Sequence, residues 1–200
     1  PALRTQSRME IDITLSVDIM KVVNESLTLV AGRTKFYDVQ VESRETPAIS
    51  CYRSKIGQVL TNLLANAADA LNEKSERIKT QGQPRFPGVI CVTVSPLTRD
   101  GQDGVAVIVS DNGDGVPKVI QDKIFEQFFT TKPAGVGTGL GLSMCANIVL
   151  EHGGHLSVGE DDKLGGARFE LWLPCQPPPK GQGKVCKPEK KLESPAVAGH

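Results

Sequence analysis

Thr130-Thr131-Lys132-Pro133-Ala134-Gly135-Val136-Gly137-Thr138-Gly139-Leu140-Gly141-Leu142 puts glycine at every second position from 135 to 141 and runs straight into an apolar-periodic helix, read as Leu140 to Glu151. A glycine-rich loop that opens a helix is built for phosphate. The helix brings unpaired N–H groups and the positive end of its dipole, and glycine lets the backbone close on anionic oxygens. Lys132 stands just upstream as a countercharge. The spacing is not Gly-x-x-x-x-Gly-Lys-Ser/Thr, no Gly-x-Gly-x-x-Gly frame fits, and no strand pattern leads into the loop, so the phosphates belong to another nucleotide fold.

Outward from this loop, the chain alternates helical and strand patterns. Helical spacing covers Val17 to Ala31 and, more strongly, Ile56 to Leu71. Short strands are read at Tyr37 to Glu42 and Ala48 to Tyr52. Gly88 to Ser95 and Val105 to Ser110 are β-branched runs around Asp100-Gly101-Gln102-Asp103-Gly104, a hairpin pattern. Gly153-Gly154 closes the third helix, His155 to Gly159 and Ala167 to Leu173 read as strands, and Gly165-Gly166 turns between them. The segment from Asp111 to Thr138 is too long for an ordinary connection and reads as a mobile lid. The expected fold class is an α/β (α+β) two-layer sandwich. Residues 1–14 read as a polar lead-in, 15–174 as the domain and 175–200 as a Pro/Lys-rich linker or tail too poor in apolar groups to order itself. A start on Pro1 is expected of a piece of something longer.

Two hundred residues with 39% hydrophobic and 23% charged content suffice for one domain with a real core. Lys+Arg and Asp+Glu balance at 23 each, which argues against a nucleic-acid or anionic-membrane partner. Five cysteines without a Cys-x-x-Cys pair read as reduced thiols of a cytoplasmic protein. No run approaches the ~20 apolar residues that cross a bilayer.

Chemistry gathers at two further places. Asn62 and Asn66 stand one turn apart on the second helix, away from Leu60, Leu63, Leu64 and Ala67. An amide carbonyl is a hard-oxygen ligand of the kind Mg2+ accepts beside nucleotide phosphates. Asp111-Asn112-Gly113-Asp114-Gly115 follows a strand, so a carboxylate at a strand end can accept from the exocyclic amine of adenine while glycines let the base lie flat. Taken singly, the asparagines also fit a core or capping role, and the aspartate a plain turn.

In their order along the chain, Asn62-Leu63-Leu64-Ala65-Asn66-Ala67, Asp111-x-Gly-x-Gly, Phe125-Glu126-Gln127-Phe128, Gly137-Thr138-Gly139-Leu140-Gly141-Leu142 and Gly165-Gly166-Ala167-Arg168-Phe169 resemble the catalytic ATP-binding domain of sensor histidine kinases from about Val17 to Pro174. The resemblance implies the Bergerat fold, a mixed, mainly antiparallel sheet on three helices with a mobile ATP lid. It implies ATP and Mg2+ as ligands, Asn66 as the metal ligand and Asn62 as its companion. It likewise implies Asp111 as the adenine-reading carboxylate over Gly113 and Gly115, and Lys132 with Gly137, Thr138, Gly139, Leu140, Gly141 and Leu142 as the phosphate cradle. Phe125 and Phe128 are expected to anchor the lid side by side. Ala167 stands where many relatives carry Thr, and Asp69 where some carry a basic residue that reaches phosphate, leaving that charge to Lys132 or to a group the sequence does not identify.

Related clamp ATPases carry a water-activating glutamate where this chain has Asn62, and an amide cannot take a proton at neutral pH. Slow hydrolysis is therefore expected, with phosphoryl transfer to a histidine on a separate upstream dimerisation hairpin, and a response-regulator receiver as next partner. The full-length protein is expected to be a homodimer and this piece a monomer. His152, His155 and His200 read as structural, a cationic His152 suiting the end of the third helix. Two alternatives remain open at this level: a nucleotide-gated interaction module without phosphotransfer, and an anti-sigma-type Ser/Thr kinase.

Overall fold

The computed structural model describes residues 14–83, 86–132 and 137–176. Gly135, Cys186, His200 and the two terminal segments read above as lead-in and tail thus lie largely or wholly outside the described residues. The elements run β1 (Thr14–Val17), α1 (Ile19–Thr34), β2 (Asp38–Ser43), β3 (Ile49–Cys51), α2 (Arg53–Thr80), β4 (Val89–Pro96), β5 (Gly104–Asp111), α3 (Gly141–Glu151), β6 (His155–Glu160) and β7 (Ala167–Pro174), with 3-10 turns at Lys118–Ile120 and Lys123–Phe125.

Five strands form one sheet in the order β2-β4-β5-β7-β6; β2 and β4 are parallel and every other pair is antiparallel. The hairpin turn between β4 and β5 has Asp100 and Gly101 both at positive φ, 50° and 76°, the primed geometry whose twist matches that of the strands. Alternation in β4 sends Ile90, Val92 and Val94 to one face. Register sets Val92 opposite Val109, and Val109 opposite Phe169. On this face lies the apolar stripe of α2, with Ile56, Val59, Leu60, Leu63, Leu64, Ala67, Ala68 and Leu71 all buried. Each large side chain so removed from water contributes roughly 1.5–3 kcal/mol before entropy. α1 and α3 flank α2 in the same layer. The expected two-layer sandwich of three helices on a mainly antiparallel sheet is therefore what the chain forms.

Three differences from the sequence reading have physical causes. α2 continues to Thr80 rather than stopping near Leu71. Its apolar period does end there, but Glu73 to Lys79 are good helix formers on a polar face, and tertiary contacts to the next loop hold them. The sequence reading gives no strand at β1 because its alternation, Leu15 and Val17 with Thr14 and Ser16, spans only four residues; it forms where β3 offers an edge, Thr14 opposite Cys51 and Val17 opposite Ile49. His152 is neutral, not cationic. Its Nε2 accepts the Tyr52 N–H at 3.0 Å, its Nδ1–H donates to the Ile148 carbonyl at 2.6 Å, and burial pushes its pKa below the ordinary value. The ring joins the end of α3 to the start of α2.

Candidate functional site

The base of the site is the end of β5. Asp111 is buried, and its Oδ1 accepts two backbone N–H bonds, from Gly113 at 2.8 Å and Ala167 at 3.3 Å. Neither bond uses Oδ2. Burial raises the carboxyl pKa, while the two amides and the nearby Lys74 cation pull it back. The loop that follows is fastened on both sides. The Asn112 side chain accepts from Val89 N at 2.7 Å and donates to the Pro87 carbonyl at 2.9 Å. Lys74 Nζ donates to the carbonyls of Asn112 at 2.6 Å and Gly113 at 3.0 Å, and sits 4.6 Å above the Phe86 ring. Arg77 grips Asp114 with both guanidinium arms, one at 2.6 Å. These anchors come from the polar extension of α2. The sequence reading misses Lys74 and Arg77; the one signal that points to them is positional, since Asn66, Ala70, Lys74 and Arg77 lie one turn apart along one stripe.

Above Asp111 a cavity of about 600 Å³ opens, of a size that suits a small-molecule ligand. Asn62, Asn66 and Asp69 of α2 form one wall, Asp111, Asp114 and Gly115 the base, and Phe129, Thr130 and Lys132 lie across from them. Asn62 Nδ2 donates to Cys145 Sγ at 3.3 Å, and Gly141 lies so close that a Cβ there would stand 2.8 Å from Asn62 Oδ1. This contact sets the N-terminus of α3 against α2. Burial pushes the Cys145 thiol up to about 11, so it packs as a neutral group. The side-chain amide of Asn66 faces the cavity without a hydrogen bond to any described residue.

One contact crosses the neck of the glycine loop, and a second is a local turn within its first arm. Phe128 N donates to the Gly139 carbonyl at 2.9 Å, and Lys132 N to Thr130 Oγ1 at 3.1 Å. Gly139 has φ of 63°, and a Cβ on it would stand 2.6 Å from Phe128 Cα, so only glycine suits this crossing. Gly137, Thr138, Gly139, Gly141 and Leu142 line the cavity; Leu140 and Gly113 do not. Leu140 precedes α3 and is 37% exposed, and Gly113 packs on Ala70 and holds Asp111 instead. The phenylalanine pair divides. Phe125 packs on the core, whereas Phe128 is 72% exposed with φ of 66°. Ile124 and Phe129 fill the place expected of Phe128, because the extended conformation of Glu126 breaks the helical turn on which a three-residue spacing depended.

Lys132, expected to be a countercharge, is already engaged. Its Nζ lies 2.6 Å from Asp69 Oδ2, and Arg33 of α1 approaches Oδ1 of the same carboxylate at 3.6 Å. Arg33 also lines the cavity, a cation that the sequence reading left unidentified.

The family of histidine kinase-, DNA gyrase B- and HSP90-like ATPases matches residues 51–177. The chain belongs to that family. Among curated relatives, the sensor histidine kinase ZraS of Escherichia coli O157:H7 is 36% identical over 162 residues, 80% of this chain and 31% of its own length. The sensor protein ChvG of Rhizobium meliloti is 33% identical over 180 residues, 82% of this chain and 28% of its own length. The chain thus spans about three tenths of these relatives. The solved catalytic domain of the histidine kinase ThkA, nucleotide-free, matches with a TM-score of 0.67 at 28% identity, covering 83% of this chain and 97% of that one. ThkA has also been solved with the response regulator protein TrrA, matching at 27% identity and a TM-score of 0.61 over 82% of this chain and 42% of that one. The chain accordingly carries an ATP-binding catalytic domain of the histidine kinase type, with the Bergerat fold. No helix among the described residues is long and apolar enough to cross a membrane.

Proposed function

We propose that this domain binds Mg2+-ATP in the cavity between α2 and the glycine loop and delivers the γ-phosphoryl group to a histidine on a separate helical hairpin. The observation that carries the reading is the Asp111 carboxylate. It is buried at the base of the cavity, with Oδ1 fixed by two amides and Oδ2 outside both bonds, which suits an acceptor for an exocyclic amine. Gly115 beside it leaves room for a flat base, and the Ala167 methyl adds an apolar surface where a hydroxyl would compete for the carboxylate.

The donor set also fits the rest of the nucleotide. The amide of Asn66 offers an uncommitted hard oxygen for the metal, with Asn62 one turn away. Mg2+ supplies charge neutralisation on the phosphate oxygens when bound. The glycine backbone around 137–141 and the start of α3 offer amide donors, and Lys132 a cation. These groups orient and neutralise, which is most of what phosphoryl transfer asks of a protein. Asn62 has no basic lone pair and its Nδ2 is given to Cys145, which leaves water without a base there and keeps hydrolysis slow.

In this reading the hairpin supplies both the acceptor histidine and a homodimer, the isolated domain is a monomer, and a receiver domain takes the phosphoryl group onward, on the cytoplasmic side of any membrane. The deciding experiment supplies γ-labelled ATP to a chain extended upstream through the hairpin, beside its Asp111→Asn variant and the 200-residue chain alone. Acid-labile, base-stable label that requires both the extension and Asp111 is expected. A folded, dimeric, ATP-binding extended chain that takes no label would leave a nucleotide-gated module, and label stable to acid would mark a Ser/Thr kinase.

A further inference from the structure

One carboxylate in the cavity gathers two cations from distant parts of the chain. Asp69 lies three residues past Asn66, so both project from the same face of α2. Its Oδ2 is paired with Lys132 of the segment after β5 at 2.6 Å, and its Oδ1 faces Arg33 in the last turn of α1 at 3.6 Å. A bare carboxylate here would repel a polyphosphate at close range. Two cations on it reverse the sign, leaving a formal +1.

The two are not held alike. Lys132 makes a hydrogen bond and its side chain is 28% exposed, whereas Arg33 at 3.6 Å is beyond hydrogen-bond distance and 56% exposed. A guanidinium has five donors in a planar fork suited to phosphate oxygens, and those of Arg33 are attracted toward the cavity without being committed to Asp69. Resting on the nucleotide reading above, we infer that Arg33 is a polyphosphate contact, and that Asp69 is a resident anion that occupies Arg33 and Lys132 in competition with phosphate oxygens until these replace it.

Chemistry separates this from an incidental surface pair. A phosphate contact discriminates ligands by charge, not by base. Equilibrium binding of adenosine, ADP and ATP to the 200-residue chain, with Arg33→Ala, Arg33→Lys and Asp69→Asn, tests it. The expected result is about a tenfold loss of ATP affinity in Arg33→Ala, a smaller loss for ADP and none for adenosine, with partial recovery in Arg33→Lys. Asp69→Asn is expected to tighten ATP several-fold, because it removes the competing anion, and to leave adenosine unchanged. Arg33 is largely exposed, so its variants should melt as the parent does. ATP bound by Arg33→Ala as by the parent would overturn this inference alone, as would weaker ATP binding by Asp69→Asn. A folded parent that binds neither adenosine nor ATP would overturn the nucleotide reading and this inference with it.

Discussion

Gly166 lies directly against Asp111: a Cβ placed on it would stand 2.6 Å from the carboxylate Oδ1 and 2.7 Å from the Gly113 amide nitrogen that donates to that oxygen. A side chain there must displace backbone, which costs roughly 1–3 kcal/mol. Gly166→Ala is therefore expected to lower stability by about that amount in urea denaturation. It should also weaken adenosine binding by more than Gly165→Ala does, since Gly165 has open space around it and only its φ of 73° to lose. Equal effects of the two substitutions on binding would mean that the Gly166 contact does not shape the base pocket.

Asp111→Asn separates stability from binding. The raised pKa means that burial opposes the ionised form; the group's favourable contribution is full below its ordinary value of 3.8 and lost as pH rises through the folded value. At pH 7 the carboxylate is thus a net burden on folding, and its replacement by a neutral amide whose oxygen can still accept from Gly113 and Ala167 should leave the melting temperature equal or higher. Adenosine should bind at least about tenfold more weakly, because an NH2 would face the amine of the base. A variant that melts lower at pH 7 yet binds normally would reverse both assignments.

His152 gives the opposite pH dependence. Its folded pKa lies below the ordinary 6.5, so its contribution is present above 6.5 and is lost as pH falls toward the folded value. Urea midpoints of the parent should fall as pH drops from 6.5 toward 5. In His152→Gln the two buried hydrogen bonds are lost, about 1–2 kcal/mol at pH 7.5, and the acid slope should be shallower. It should not vanish, since burial also lowers the pKa of His155. An unchanged slope would place the acid sensitivity elsewhere.

Much of this was legible in the sequence, and the reasons are specific. Strands β4 and β5 announce themselves by their runs of β-branched residues, β7 by the alternation of Ala167, Phe169, Leu171 and Leu173 with polar or bulkier neighbours, and the glycine spacing before α3 encodes a backbone shape. Asp111, Asn62 and Asn66 could be singled out because few chemistries use those groups at those offsets. Arg33 could not, because its place depends on how α1 crosses α2, and no local pattern in Ala31-Gly32-Arg33-Thr34 reports a helix crossing. Phe128 misled for a related reason: a three-residue spacing means a shared face only while the helix lasts, and the chain leaves it at Glu126. The end of α2 was hidden because pattern reading follows apolar groups, and the contacts that hold Lys74 and Arg77 are polar.

Asn66 offers the last test, because its proposed role predicts a dependence that a core amide would not have. Its side chain lines the cavity without a hydrogen bond to a described residue, so Asn66→Ala removes no internal bond and should change stability by less than about 0.5–1 kcal/mol. Mg2+ leans on few protein oxygens and on substrate phosphates. Losing the single protein oxygen should therefore abolish most of the gain in ATP affinity that Mg2+ confers on the parent, while adenosine binding in the presence or absence of Mg2+ stays as it was. Titration of ATP with and without Mg2+ into parent and variant reads this directly as a ratio of ratios. A ratio unchanged by the substitution would remove Asn66 from the metal, and a large fall in melting temperature would identify it as part of the packing between α2 and its neighbours.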